Sequence, residues 1–135
     1  MQLEKDFTFE SLSLKPDYEG EVCAVLIASH KNTGNRDAVL YLHGYVDYFF
    51  QYGRALLKHQ HPNYCKNIEE YFEEISITLK KIKQNQNSIF LLAHSTGGLV
   101  ACNYMIQGKE KSLVSGLILN SPFLDFNQSK FKQKI

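Results

Sequence analysis

Hydrophobic and polar positions along the chain switch between two periods. Phe7 to Leu14 alternates loosely and predicts a strand, with Pro16, Asp17 and Gly20 supplying turn chemistry after it. Glu21 to Ser29 carries Val22, Ala24, Leu26 and Ala28 on one face and Cys23, Val25 and Ile27 on the other. Both faces are apolar, so this segment predicts a largely covered strand that forms an antiparallel hairpin with the first. Lys31 to Asp37 reads as a polar loop. Ala38 to Leu42 is a short continuous apolar run, the pattern of a buried parallel strand. From Asn67 the period lengthens: Ile68, Tyr71, Phe72, Ile75, Leu79 and Ile82 recur at helical spacing and predict a helix over 67–84. Asn67 and Glu70 read as its N-terminal cap pair, and Lys80, Lys81 and Lys83 suit its C-terminal end. Ser88 to Ala93 predicts a second buried strand, 97–107 a second helix stopped by Gly108, and Leu113 to Leu119 a third buried strand. This alternation implies an α/β fold, a mostly parallel sheet with helices on both faces.

Composition narrows the function classes. A length of 135 residues suits one domain spanning 1–135. A net charge of +1 gives no electrostatic case for nucleic acid or a membrane surface, and Lys130, Lys132 and Lys134 read as a solvated chain end. No stretch approaches the ~20 apolar residues of a membrane span, and the first residues lack the apolar core of a signal peptide. Cys23, Cys65 and Cys102 are odd in number and lack metal-ligand spacing, so free thiols and a cytoplasmic location are expected. Cys23 and Cys102 lie in apolar runs and read as small core residues. His59 and His61 lack a third ligand, so no metal is expected. Neither G-x-G-x-x-G nor a P-loop is present, so a nucleotide binder is excluded and no cofactor is expected.

The chemistry concentrates in Ile89-Phe90-Leu91-Leu92-Ala93-His94-Ser95-Thr96-Gly97-Gly98-Leu99-Val100. A buried strand runs into a serine flanked by small residues two before, Ala93, and two after, Gly97, and then into a helix. This is the G-x-S-x-G pattern with alanine in the first glycine's place. The turn needs small neighbours because the serine backbone is strained and the helix packs close to the strand. Ser95 Oγ would project above the sheet edge, over a helix N-terminus that favours negative charge. Upstream, Leu40-Tyr41-Leu42-His43-Gly44-Tyr45 ends a strand in His-Gly, and the N–H groups of Tyr45 and Thr96 would form an oxyanion hole. A serine is also favoured as a plain helix N-cap, but strand, elbow, helix and upstream His-Gly together favour a nucleophile. His43 reads as a buttress of the oxyanion loop and His94 as a packing or hydrogen-bonding residue near the elbow. Gly44, Ala93, Gly97 and Gly98 complete the supporting set.

These residues, with Leu119-Asn120-Ser121-Pro122-Phe123, resemble the α/β-hydrolase superfamily, in the branch of serine aminopeptidases (S33), monoacylglycerol lipases and lysophospholipases. The resemblance implies Ser95 as nucleophile, Tyr45 and Thr96 as oxyanion donors, and a small-molecule carboxylic ester as substrate. It also implies that the chain corresponds to the N-terminal part of the family fold.

Two departures stand out. The family's triad runs Ser, then Asp or Glu, then His. The histidines here are His30, His43, His59, His61 and His94, none after Ser95, and Asp125 comes too early for the acid. The lid and C-terminal strands are expected to be absent. Secondly, Val46 to Pro62 is too short for the helix and strand that the family places there, which suggests a deletion of roughly twenty residues between Phe50 and Tyr52. Two functions stay open: an ester hydrolase acting through an acyl-Ser95 intermediate, with this chain alone inactive, or a non-catalytic truncated remnant. Loss of a strand would leave sheet edges open to self-association.

Overall fold

A computed structural model describes residues 6–18, 20–29, 34–44 and 66–124. Strands β1, Phe7–Asp17, and β2, Gly20–Ser29, form the expected antiparallel hairpin, in register from Phe7 opposite Ser29 to Leu14 opposite Val22. The register breaks between Leu14 and Asp17, where Pro16 has no N–H to give the ladder. The hairpin stands as a sheet of its own. That explains a departure from the sequence reading. With no strand but β1 beside it among the described residues, β2 is not largely covered: Val22 is buried, while Cys23 is exposed rather than a core residue.

The second sheet is parallel, in the order β3 (Asp37–Leu42), β4 (Ser88–His94), β5 (Gly116–Asn120). Asp37 pairs with Ser88 and Leu42 with Ala93, so the strands ending at His43 and at His94 are neighbours, as expected. Both strand entries are pinned by main-chain bonds, Asn87 N–H to Arg36 C=O at 2.6 Å and Ser115 N–H to Ile89 C=O at 2.7 Å. The third strand is shorter than the sequence suggests. Leu113 ends a short 3-10 turn, Lys111–Leu113, and the ladder begins only at Gly116. Neither outer strand is buried along its whole length: Val39 is 60% exposed and Ile118 50%, because each belongs to the far face of the sheet.

Helix α1, Phe72–Lys83, follows a 3-10 turn at Ile68–Tyr71, and α2 spans Thr96–Gln107. Ile75 and Leu79 of α1, Ile89 and Leu91 of β4, and Tyr104 of α2 form one buried cluster, with Leu40, Leu42 and Leu117 packed against it. Ile89 and Leu91 alternate along β4 onto one face, so among the described residues both helices cover that same face. Helices on both faces had been expected. Tyr104 is the keystone of the cluster. Its ring meets Phe72 edge-on at 5.2 Å, and its hydroxyl bonds Ser76 Oγ at 2.8 Å and takes the Glu110 N–H, so the buried phenol is satisfied.

One local expectation is corrected. Asn67 makes no side-chain cap bond; Glu70 reaches back to the Lys66 N–H instead. At the start of α1, Glu73 accepts the Lys15 N–H and so ties the hairpin to the helix. Lys66 over the Tyr18 ring, at 3.4 Å, is a second tie. Gly108 does end α2, but in an extended conformation at φ −63°. It is glycine for space: a Cβ there would lie 2.5 Å from the Tyr104 carbonyl oxygen. The stretch holding the suspected deletion lies outside the described residues, as does Cys65.

Leu91 is fully buried at the centre of the cluster. Leu91→Ala is expected to lower unfolding stability by about 2–5 kcal/mol, the range for such truncations, read as a shifted midpoint in urea denaturation. Val39→Ala, on the exposed face, is expected to change the midpoint by much less.

Candidate active site

Parallel strands of one sheet deliver their C-terminal ends to one edge, and here those ends are Leu42, His94 and Asn120. Ser95 lies at that edge between β4 and α2, with φ 52° and ψ −123°. A non-glycine residue with positive φ costs on the order of 1–3 kcal/mol and persists only where the surroundings fix it. They do so here from both sides of the residue. Its N–H points to the Asn120 carbonyl at 3.4 Å, and its carbonyl accepts the N–H groups of Gly98 at 2.9 Å and Phe123 at 2.8 Å.

The geometry also differs from that of a plain capping serine. Such a residue adopts the β region and turns its Oγ onto the N–H of N2 or N3. Ser95 has positive φ and makes no side-chain cap bond. Ser95 stands beside the first turn of a twelve-residue helix whose leading N–H groups lack intrahelical partners.

Missing side chains bring the three strand ends together. A Cβ on Gly97 would lie 2.3 Å from the Leu42 carbonyl oxygen and 2.5 Å from that of His43. One on Gly98 would lie 2.6 Å from Pro122 Cβ, and one on Gly44 would lie 2.9 Å from Ser95 Cβ and 3.4 Å from its Oγ. Glycine at 97 and 98 therefore lets α2 start against the ends of β3 and the loop after β5. Glycine at 44 lets the β3 end reach the serine itself. Ala93 is fully buried beneath the turn.

Of the residues singled out in the sequence, His43, Gly44, Ala93, His94, Ser95, Thr96, Gly97 and Gly98 thus converge on one point, with Thr96 the first residue of α2. Tyr45 lies outside the described residues, as do His30, His59, His61 and Asp125. His43 Nδ1 bonds the Gly44 carbonyl at 2.7 Å and His94 Nδ1 the Asn120 carbonyl at 3.0 Å. Neither described histidine is hydrogen-bonded to Ser95. Among the described residues no group of three metal-ligating side chains forms, and no helix is long and apolar enough to cross a membrane.

Sequence reasoning passed over the structural part played by Asn120–Phe123. Ser121 is the second non-glycine residue with positive φ, at 45°. That turn brings Pro122 against Gly98 and the Phe123 N–H onto the Ser95 carbonyl. The available signal was a turn-forming Asn-Ser-Pro directly after an apolar strand.

Two substitutions separate the requirements. Gly97→Ala is expected to destabilise the fold by about 2 kcal/mol or more, since its methyl group meets backbone oxygens that cannot move aside. Ser121→Gly is expected to be neutral or stabilising, because it removes the strain of positive φ. Thermal unfolding followed by circular dichroism reads both.

Comparison with known proteins finds a family and a distant relative. The family described as serine aminopeptidase, S33, matches residues 52–135. Phospholipase YtpA of Bacillus subtilis (strain 168) is 34% identical over 61 residues, which is 45% of this chain and 23% of that protein. The match therefore spans about a quarter of the relative's length. No solved structure matches the chain at a significant level. With the matched region covering β4, the serine turn, α2 and β5, the chain belongs to the S33 serine aminopeptidase family of the α/β-hydrolase superfamily.

Proposed function

We propose that this chain carries the nucleophile half of a lipase-like ester hydrolase, acting on carboxylic esters of the monoacylglycerol or lysophospholipid kind. The observation that carries the reading is Ser95: positive φ, no capping bond, and its side chain directly over the bare Cα of Gly44. In the proposed reaction Ser95 Oγ attacks the ester carbonyl carbon and gives up its proton to a base. The carbonyl oxygen gathers negative charge against the N–H groups of Thr96 and Tyr45. The tetrahedral species collapses to an acyl-Ser95 ester and releases the alcohol, which takes up a proton. Water then releases the acid. No metal or cofactor enters this scheme. The phospholipase name of the Bacillus relative and the S33 family support the substrate class.

The base is the weak link of the scheme. No histidine follows Ser95 in the sequence, and neither described histidine bonds it. Positioned general bases are worth about 10²–10⁴-fold. We therefore assign the chain by itself no turnover above background, whether it is the nucleophile half of an enzyme or a non-catalytic remnant. The reading of a deleted helix and strand near Phe50 draws support from two features: β3 is an outer strand of its sheet, and the hairpin forms a separate one. The single-domain reading, the cytoplasmic location and self-association through sheet edges stay part of this proposal.

The test is hydrolysis of a chromogenic butyrate ester, with fluorophosphonate labelling alongside and Ser95→Ala as the control. The expected result is turnover indistinguishable from that control. Turnover well above it, lost in Ser95→Ala, would show that a base reaches Ser95 from a second subunit or from residues outside 66–124. Labelling that survives Ser95→Ala would remove Ser95 as the nucleophile.

A further inference from the structure

We propose that His94 is a positioning residue for Ser95: its imidazole, held as the Nδ1–H tautomer by the Asn120 carbonyl, clamps the serine turn between the ends of β3 and β5. The role rests on the reading of Ser95 as nucleophile, while the clamp itself is a matter of geometry. A carbonyl oxygen only accepts, so the 3.0 Å contact requires the proton on Nδ1. The same oxygen faces the Ser95 N–H at 3.4 Å, which is longer than the usual 2.7–3.2 Å of an N–H···O bond. The Phe123 N–H holds the Ser95 carbonyl at 2.8 Å, but the Ser95 N–H is held only weakly, and of the two bonds to the Asn120 carbonyl the ring supplies the better.

The other edge of the ring points the opposite way. Cδ2, across Cγ from Nδ1, lies 3.5 Å from where a Cβ of Gly44 would be, a point 3.4 Å from Ser95 Oγ. One side chain thus has one edge beside the bare Cα of Gly44, where β3 ends, and bonds the end of β5 with the other. A backbone held at φ 52° needs such redundancy, because any single weak restraint would let it relax. Nδ1 being spoken for also explains why His94, though adjacent to the serine in sequence, does not act on it through that nitrogen.

The test uses the full 135-residue chain, labelled with ¹⁵N. Long-range ¹H–¹⁵N correlation of the His94 ring is expected to show the neutral ring as the Nδ1–H tautomer; an Nε2–H tautomer would overturn the clamp. His94→Leu removes the donor, whereas His94→Asn places an amide N–H where Nδ1 lies. Loss of one such bond is expected to speed amide exchange at Ser95 and Phe123 about tenfold in the leucine variant. The asparagine variant is expected to stay near the parent rate, with the Leu91 amide unchanged in both. Unchanged exchange in His94→Leu, or an asparagine variant that behaves like leucine, would refute the proposal. These readouts stand apart from the chemistry of Ser95. A failure of fluorophosphonate labelling to depend on Ser95 would remove the nucleophile reading and leave the clamp to be judged on tautomer and exchange.

Discussion

A helix can begin directly at the end of a parallel sheet only if nothing projects from its first turn, and α2 meets that condition with two adjacent glycines. The carbonyl oxygens of Leu42 and His43 occupy the space a side chain on residue 97 would need, and Pro122 fills the space beside residue 98. Close approach of this helix to three strand ends is the constraint on which the serine turn depends. It fixes where α2 starts, and hence leaves a single residue, Ser95, to reverse the chain between strand and helix.

One residue making that reversal has few backbone conformations open to it, and the strained one it adopts is stabilised by its neighbours rather than by itself. The strand order supplies those neighbours. Because β4 is central, the end of β3 approaches Ser95 from one side and the loop after β5 from the other. Packing deeper in the sheet serves the same end. Tyr104, Leu79 and Leu91 seat α1 and α2 on the inner face and so set the height at which α2 meets the sheet edge. The conformation of the serine turn is thus a consequence of how closely backbone can pack against backbone.

Much of this was legible in the sequence. The run from Ile89 to Val100 contains its own strand, turn and helix signals, and local pattern was enough to place them. Helix α1 was readable for the same reason, since its apolar period runs over several turns. Exposure was less legible, because it depends on what lies alongside. Cys23 and Val39 fall in apolar runs, yet both are exposed, since the hairpin forms a separate sheet and β3 is an outer strand. Long-range polar partners were not legible at all. Nothing near Glu73 announces the Lys15 N–H, and nothing near Asn120 announces that its carbonyl will face both His94 and Ser95. The reason for Gly108 was legible only in part: the helix stop was expected, the crowding against Tyr104 was not.

The register of β3 against β4 has a consequence for what the pairing costs to close. That pairing closes a loop about twice as long as the one closed by β4 and β5. Loop-closure entropy grows only logarithmically, so each doubling costs about 0.6 kcal/mol. The chain entropy spent on bringing Asp37 to Leu42 against Ser88 to Ala93 therefore exceeds that of the β4–β5 pairing by only about that amount. A single methyl group at residue 97 weighs more than doubling the length of a closed loop. The architecture is thus tolerant in the length of chain it must close and intolerant at a turn in which one added carbon atom is too many.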